Sequence, residues 1–372
     1  MDKNTYRSIV IKLGTSTLTA GTSALSAARM VELVRQVAEL HQEGRQVVLV
    51  SSGAMAAGRE RLSFPQLPKD IPAKQMLSAV GQPRLMALYE QLFDIYKLTV
   101  AQVLLTKTDL ADRSRYLNSR NTLNALLTQR VVPIVNENDT VATEEIRLGD
   151  NDNLSALVAN LIEADLLVML TDQTGLFTAD PRSNSSARLI RDISTPTIPE
   201  SLWEAAGGEG GKLGTGGMFT KLQAADLARH SGTTVIIAAG DEENVLVRLA
   251  AGEAVGTRFS PLTTVLESRK RYILAGGNNV RGSISVDAGA ERALRRGGSL
   301  LPVGVTDLKG KFDRGDAVQV LNPSGSEVAR GLVNYTAAEL GKIHGKKTKE
   351  ILAILGADYD DEVIHRNNLV LL

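Results

Sequence analysis

The chain contains no cysteine. That one absence excludes disulfides, thiolate metal sites and cysteine nucleophiles. Histidine is nearly as scarce, at four in 372 residues, and no H-E-x-x-H pair is present, so a zinc hydrolase is not expected. Formal net charge is zero, which gives no global electrostatic reason to bind nucleic acid. No apolar run reaches the ~20 residues of a membrane-spanning helix. The opening Met1-Asp2-Lys3-Asn4 lacks the basic-then-apolar order of a secretory signal. A cytoplasmic protein with no membrane partner is the expectation. Two nucleotide signatures are missing as well. Neither G-x-x-x-x-G-K-[ST] nor G-x-G-x-x-G occurs, so a P-loop, a dinucleotide fingerprint and a protein-kinase glycine loop are excluded.

What is present is a globular composition, 43% hydrophobic and 23% charged, over a length suited to two domains. Residues 8–11, 46–50, 99–105, 131–135, 166–170 and 234–238 read as short, continuously apolar strands. Between them, 27–43, 74–96, 116–129, 153–162 and 221–230 read as helices; Met30, Leu33, Val34, Val37 and Leu40 show the helical spacing. Apolar strands separated by helices predict an α/β fold with a mainly parallel sheet covered on both faces. Ligands in such folds lie beyond the carboxyl ends of the strands. Pro133 inside a strand predicts irregular pairing there. The stretch 258–277, with Pro261, Arg269-Lys270-Arg271 and Gly276-Gly277, reads as a connector. Beyond it, strand-like pieces at 282–286, 317–320 and 327–331 are punctuated by glycine, which predicts a small, mainly β domain. The expected division is 1–257, a linker 258–277, 278–357, and a C-terminal tail 358–372.

The conspicuous polar residues fall at strand ends. Gly214-Thr215-Gly216-Gly217-Met218-Phe219-Thr220-Lys221 offers bare backbone N–H groups, a helix start and a lysine to one point, which suits a polyphosphate. Lys12-Leu13-Gly14-Thr15-Ser16 follows the first strand and Ser51-Ser52-Gly53-Ala54 the second. Asn136-Glu137-Asn138-Asp139 places four hydrogen-bond acceptors in a row. Asp150-Asn151-Asp152-Asn153 exceeds what capping one helix requires. An EF-hand is excluded, because its glycine and glutamate are not at the required positions. Thr171-Asp172 ends another strand. Lysines, a glycine-rich loop and carboxylates at one sheet edge suit phosphoryl transfer, which asks for positioning and charge stabilisation rather than a protein nucleophile. A carboxylic acid acceptor, with a pKa of ~4, is already ionised at neutral pH and needs no general base. The scarcity of histidine fits that chemistry.

Taken in order, 11–16, 51–54, 136–139, 149–155, 171–182 and 214–221 resemble the motif series of the bacterial glutamate 5-kinases. The C-terminal stretch resembles the PUA domain that many of them carry. The resemblance covers essentially the whole chain and implies the amino-acid-kinase fold, a three-layer α/β/α sandwich. It implies ATP-dependent phosphorylation of the side-chain carboxylate of L-glutamate to L-glutamyl 5-phosphate, the first step of proline biosynthesis, with Mg²⁺ bridging the phosphates. Lys12 and Lys221 would contact the transferring phosphoryl group from opposite sides, and Asp152 would orient them. Ser52, Asp139 and Asn151 would bind glutamate; Asp139 would pair with the α-ammonium and so select a free amino acid. Lys12, Thr171, Asp172, Thr215, Gly216, Gly217, Met218, Phe219, Thr220 and Lys221 would hold ATP, with Phe219 where a small residue is common. No residue is singled out as a direct metal ligand. Proline as inhibitor and a homodimer or homotetramer are further implications. A kinase for aspartate or N-acetylglutamate is the alternative within the fold. PUA domains elsewhere often bind RNA, which makes RNA the alternative partner, although this domain is only mildly basic.

Overall fold

The structure is a computed structural model that describes residues 6–68, 70–142, 150–207, 217–264, 280–356 and 361–372. It divides into two compact units, residues 1–110 with 119–265, and 111–118 with 266–372.

The first unit is built on β1 (Ser8–Leu13), β2 (Gln46–Ser51), β3 (Val100–Leu105), β4 (Val132–Glu137), β5 (Leu166–Thr171), β6 (Asp192–Ile193), β7 (Thr234–Ala239) and β8 (Thr257–Phe259). They form one sheet in the order β3-β4-β2-β1-β5-β7-β8-β6. Neighbours run parallel except β7 and β8. The expected mainly parallel sheet is therefore present. The helices are α1 (Thr15–Thr19), α2 (Ala27–Gln42), α3 (Ala54–Arg61), α4 (Ile71–Asp94), α5 (Lys107–Ala111), α6 (Arg113–Thr128), α7 (Asp150–Ile162), α8 (Glu200–Ala205), α9 (Met218–His230) and α10 (Val245–Ala250).

Alternation along β1 explains the layers. Ile9, Ile11 and Leu13 join the core that α2, α4 and α10 complete. Val10 and Lys12 point the other way, where α7 lies against β1 and packs on α9. The chain leaves β1 toward β2 and leaves β5 toward β7. The switch in winding falls between β1 and β5, where α/β sheets open a crevice at their carboxyl ends.

Four helices, α4, α6, α7 and α9, begin earlier than their apolar periodicity indicates, because their first turns lack that periodicity. In α4 the Asp70 side chain accepts from the Ala73 N–H at 3.0 Å, and Pro72 sits in the first turn, where its missing N–H costs nothing. In α7 the first turn is the polar 150–152, in α9 it is Met218-Phe219-Thr220, and ahead of α6 the Asp112 side chain accepts from the Arg115 N–H at 2.9 Å. Pro133 pairs with Ala101 of β3, while the β2–β4 ladder is formed only at Leu49–Ile134 and Val50–Val135. The strand tolerates its proline where one ladder is short.

The second unit holds a five-stranded sheet in the order β10-β9-β11-β12-β13, with β9 at Gly282–Val286, β10 at Val305–Gly310, β11 at Ala317–Leu321, β12 at Glu327–Leu332 and β13 at Leu369–Leu371. Its own core gathers Ile284, Val286, Val318, Val320, Tyr335 and Ile364. β10 has no counterpart in the sequence reading, since most of its residues are exposed and give no apolar signal. Two expected boundaries change. The segment 358–372 is not merely a tail, because β13 pairs with β12 and buries Val370. The segment 258–277 does not begin as a linker, because Phe259 is fully buried in β8 of the first sheet.

Candidate active site

Lys12 lies near the carboxyl end of β1, in register with Val50 on one side and Met169 on the other. Its Nζ is 2.6 Å from Asp152 Oδ1. Lys221 Nζ approaches the other oxygen, Oδ2, at 3.2 Å, and Thr220 Oγ1 donates to it at 2.7 Å. Asp152 has no exposed surface, and both lysines are buried. One carboxylate in the first turn of α7 thus joins β1 to the first turn of α9.

Electrostatics decide what this trio can do. Burial pushes the Asp152 pKa up, but the charges of Lys12 and Lys221 outweigh it and hold the carboxyl below its usual range. Burial lowers the Lys12 pKa; Asp152 raises it, Lys221 lowers it, and the net is below an ordinary lysine. Two ammonium groups around one carboxylate leave a single excess positive charge in a desolvated place. That is a site for an anion. Gly14 keeps it open: a Cβ there would stand 3.2 Å from the Lys12 ammonium.

On one side lies a cavity of about 480 Å³, whose walls include Thr171, Asp172, Gly217, Met218 and Lys221. Its other walls come from Ser16, Gln173, Leu176 and Phe177, and from 179–182 and 205–207. Thr171 Oγ1 donates to Asp172 Oδ1 at 3.0 Å. Phe219 turns aside and meets Trp203 edge to face, with ring centroids 5.6 Å apart. Thr220 is spent on Asp152 and on the Gly217 carbonyl at 3.0 Å. Thr215 and Gly216 lie outside the described residues.

On the other side, Asn151 Nδ2 donates to Ser52 Oγ at 2.9 Å, to the Ser51 carbonyl at 3.2 Å and to Asn136 Oδ1 at 3.1 Å. Ser52 does not cap α3; the capping position is Gly53, at φ +104°. Asp139 accepts from Ser78 Oγ at 2.6 Å. Burial raises its pKa, and the Ser78 hydrogen bond lowers it in part. Asn136, Ser78 and Gln82 were not singled out from sequence. Asn136 lay within a motif that was noted, but Ser78 and Gln82 sit inside α4, where a lone polar residue carries no signal.

Residues 7–239 match the amino acid kinase family, and residues 282–355 match the PUA domain. The chain is 55% identical to the glutamate 5-kinase of Photobacterium profundum, across 100% of this chain and 98% of that one. It is 55% identical to the glutamate 5-kinase of Herpetosiphon aurantiacus, across 100% of both. The chain belongs to the amino acid kinase family, among its glutamate 5-kinases. A solved UMP kinase from Bacillus anthracis covers 69% of this chain and 97% of its own, at 18% identity and a TM-score of 0.48, too distant a likeness to carry an argument. Among the described residues no group of three or more His, Cys, Asp or Glu is placed to hold a metal ion, and no helix is long and apolar enough to cross a membrane. Kinase chemistry with ATP involves a divalent metal. Such an ion takes most of its ligands from nucleotide phosphates and water, so the absence of a protein cage among these residues is compatible with it.

Proposed function

We propose that this protein transfers the γ-phosphate of ATP to the side-chain carboxylate of L-glutamate, giving L-glutamyl 5-phosphate for proline biosynthesis. The observation that carries the mechanism is the buried Lys12–Asp152–Lys221 trio between two recesses. ATP occupies the cavity beside Thr171, Asp172 and Gly217–Lys221, with Thr215 and Gly216 completing the phosphate contacts. Glutamate lies toward Ser52, Asn151 and Asp139. A carboxylate oxygen forms a bond to the γ-phosphorus as the bond to the β–γ bridging oxygen breaks, and ADP leaves with that electron pair. Lys12 and Lys221 neutralise the charge that gathers on the phosphoryl oxygens. Asp152 holds the two ammonium groups close, against their mutual repulsion. Asp139 accepts from the α-ammonium. Mg²⁺ would accompany the nucleotide and supply charge neutralisation there, and Asp172 and Asp180 are the carboxylates on the cavity wall that would face it. Competition by proline at the glutamate recess, assembly as a homodimer or homotetramer, and a cytoplasmic location belong to the same reading.

The mechanism is tested by steady-state kinetics of Lys221→Ala. Loss of a group that acts mainly in the transition state should lower kcat by about 10²–10³-fold, with a much smaller change in the KM for glutamate. An unchanged kcat would remove Lys221 from the chemistry.

A further inference from the structure

The amide groups near Asn151 can be oriented without ambiguity, because two backbone groups anchor the chain of contacts. The Glu137 N–H donates to one atom of the Asn136 side chain at 2.9 Å. A backbone N–H is only a donor, so that atom is Oδ1. The other end, Nδ2, faces Gln82 at 2.8 Å. A donor must meet an acceptor there, so Gln82 presents Oε1. Gln82 Nε2 is thereby turned away from this contact, shut off from solvent, and without a hydrogen-bond partner among the described residues. The Ser51 carbonyl fixes Asn151 in the same way. Its Nδ2 faces that oxygen and Asn136 Oδ1, leaving Asn151 Oδ1 buried and unpartnered.

Buried polar groups are rarely left unpaired. Here one orphan is a donor and one an acceptor. Gln82 also lines a cavity of about 260 Å³ together with Asp139, Ser78 and Asn138. A free α-amino acid brings the complement of this set. Its ammonium needs acceptors, which Asp139 and Asn151 offer, and its α-carboxylate needs a donor. We propose that Gln82 Nε2 donates to the α-carboxylate of the amino-acid substrate, making Gln82 a residue that selects substrates with that group ionised. This rests on the reading of the protein as a kinase of free glutamate. Asp139 then recognises one α-substituent and Gln82 the other, while the side-chain carboxylate is left to the lysines.

The test exchanges donor for acceptor on both molecules. Gln82→Glu keeps an oxygen for Asn136 Nδ2 and replaces the free donor with an acceptor. The substrates are L-glutamate and its α-amide, which retains the ammonium and the side-chain carboxylate. The parent enzyme should prefer glutamate by about tenfold or more in kcat/KM, the size expected of a hydrogen bond to a charged group. In Gln82→Glu that preference should shrink by about tenfold or more, through the KM for glutamate, with the KM for ATP unchanged. Equal preference in parent and variant would overturn the assignment. If Gln82→Glu does not fold, Gln82→Met serves, since it removes the donor without adding charge. The parent alone also decides: indifference to the α-amide would contradict the proposal. Failure of the parent to phosphorylate glutamate at all would instead strike the functional reading, and would show before any variant is made.

Discussion

Asp139 and Asp152 are carboxylates of one site moved in opposite directions. Asp152 is wholly buried but faces two lysines, and its pKa is lowered. Asp139 is half-buried, faces a serine hydroxyl, and its pKa is raised. A pH dependence follows with a definite sign. In the proposed pairing the substrate ammonium needs Asp139 ionised, so the KM for glutamate should rise as pH falls through the pKa of Asp139. Because that pKa lies above the usual value, the rise should begin at a higher pH than an exposed aspartate of ~3.9 would give. Ser78→Ala removes the one hydrogen bond that opposes the shift and should move the rise to still higher pH. A KM profile identical in the two proteins would contradict this pairing. At this scale much was legible in the sequence. Lys12 and Lys221 stood out because a lysine after an apolar strand or after a glycine-rich loop can reach a bound anion, and Asp152 because its run of Asp and Asn exceeds what capping one helix requires. Ser78 and Gln82 did not, because only the tertiary fold brings α4 across the strand ends.

At the scale of elements, six of the eight strands of the first sheet could be read from their apolar runs; the short β6 and β8 could not, and of the expected helices only α2 begins where its periodicity indicates. More consequential, the close crossing of α3 and α4 left no readable trace. A Cβ on Gly81 would stand 1.8 Å from the Ala54 carbonyl oxygen, and one on Gly58 would stand 2.0 Å from that of Leu77. Two backbones meet there through glycine, and Ser78 and Gln82 ride on the same turn of α4. Alanine at an ordinary helical position would be favoured over glycine by about 1 kcal/mol. Here the clash decides the sign. Gly81→Ala should destabilise by at least about 1–3 kcal/mol, as overpacking does, read as a lower midpoint in urea. It should also weaken glutamate binding by displacing the side chains beside it. Unchanged stability would mean that the helices can separate at no cost.

At the scale of the molecule, the two units have separate cores, and the described motif residues all lie in the first. The mainly β character of the second was legible from its glycine-punctuated strands, while its helices at Ala288–Arg295, Ala337–Ile343 and Thr348–Leu355 were not read. Its last strand was not, because Leu369–Leu371 is a short run at the end of the chain whose partner, β12, lies some forty residues upstream. The central claim concerns the first unit: a buried lysine pair phosphorylates the side chain of a free amino acid. It is tested most directly on the whole protein by trapping acyl phosphate with hydroxylamine in the presence of ATP and Mg²⁺. The substrates are L-glutamate, L-aspartate and N-acetyl-L-glutamate, each with and without proline. The account predicts a hydroxamate from L-glutamate alone, diminished by proline. Equal product from N-acetyl-L-glutamate, which has no ammonium for Asp139, or no product from glutamate, would contradict it.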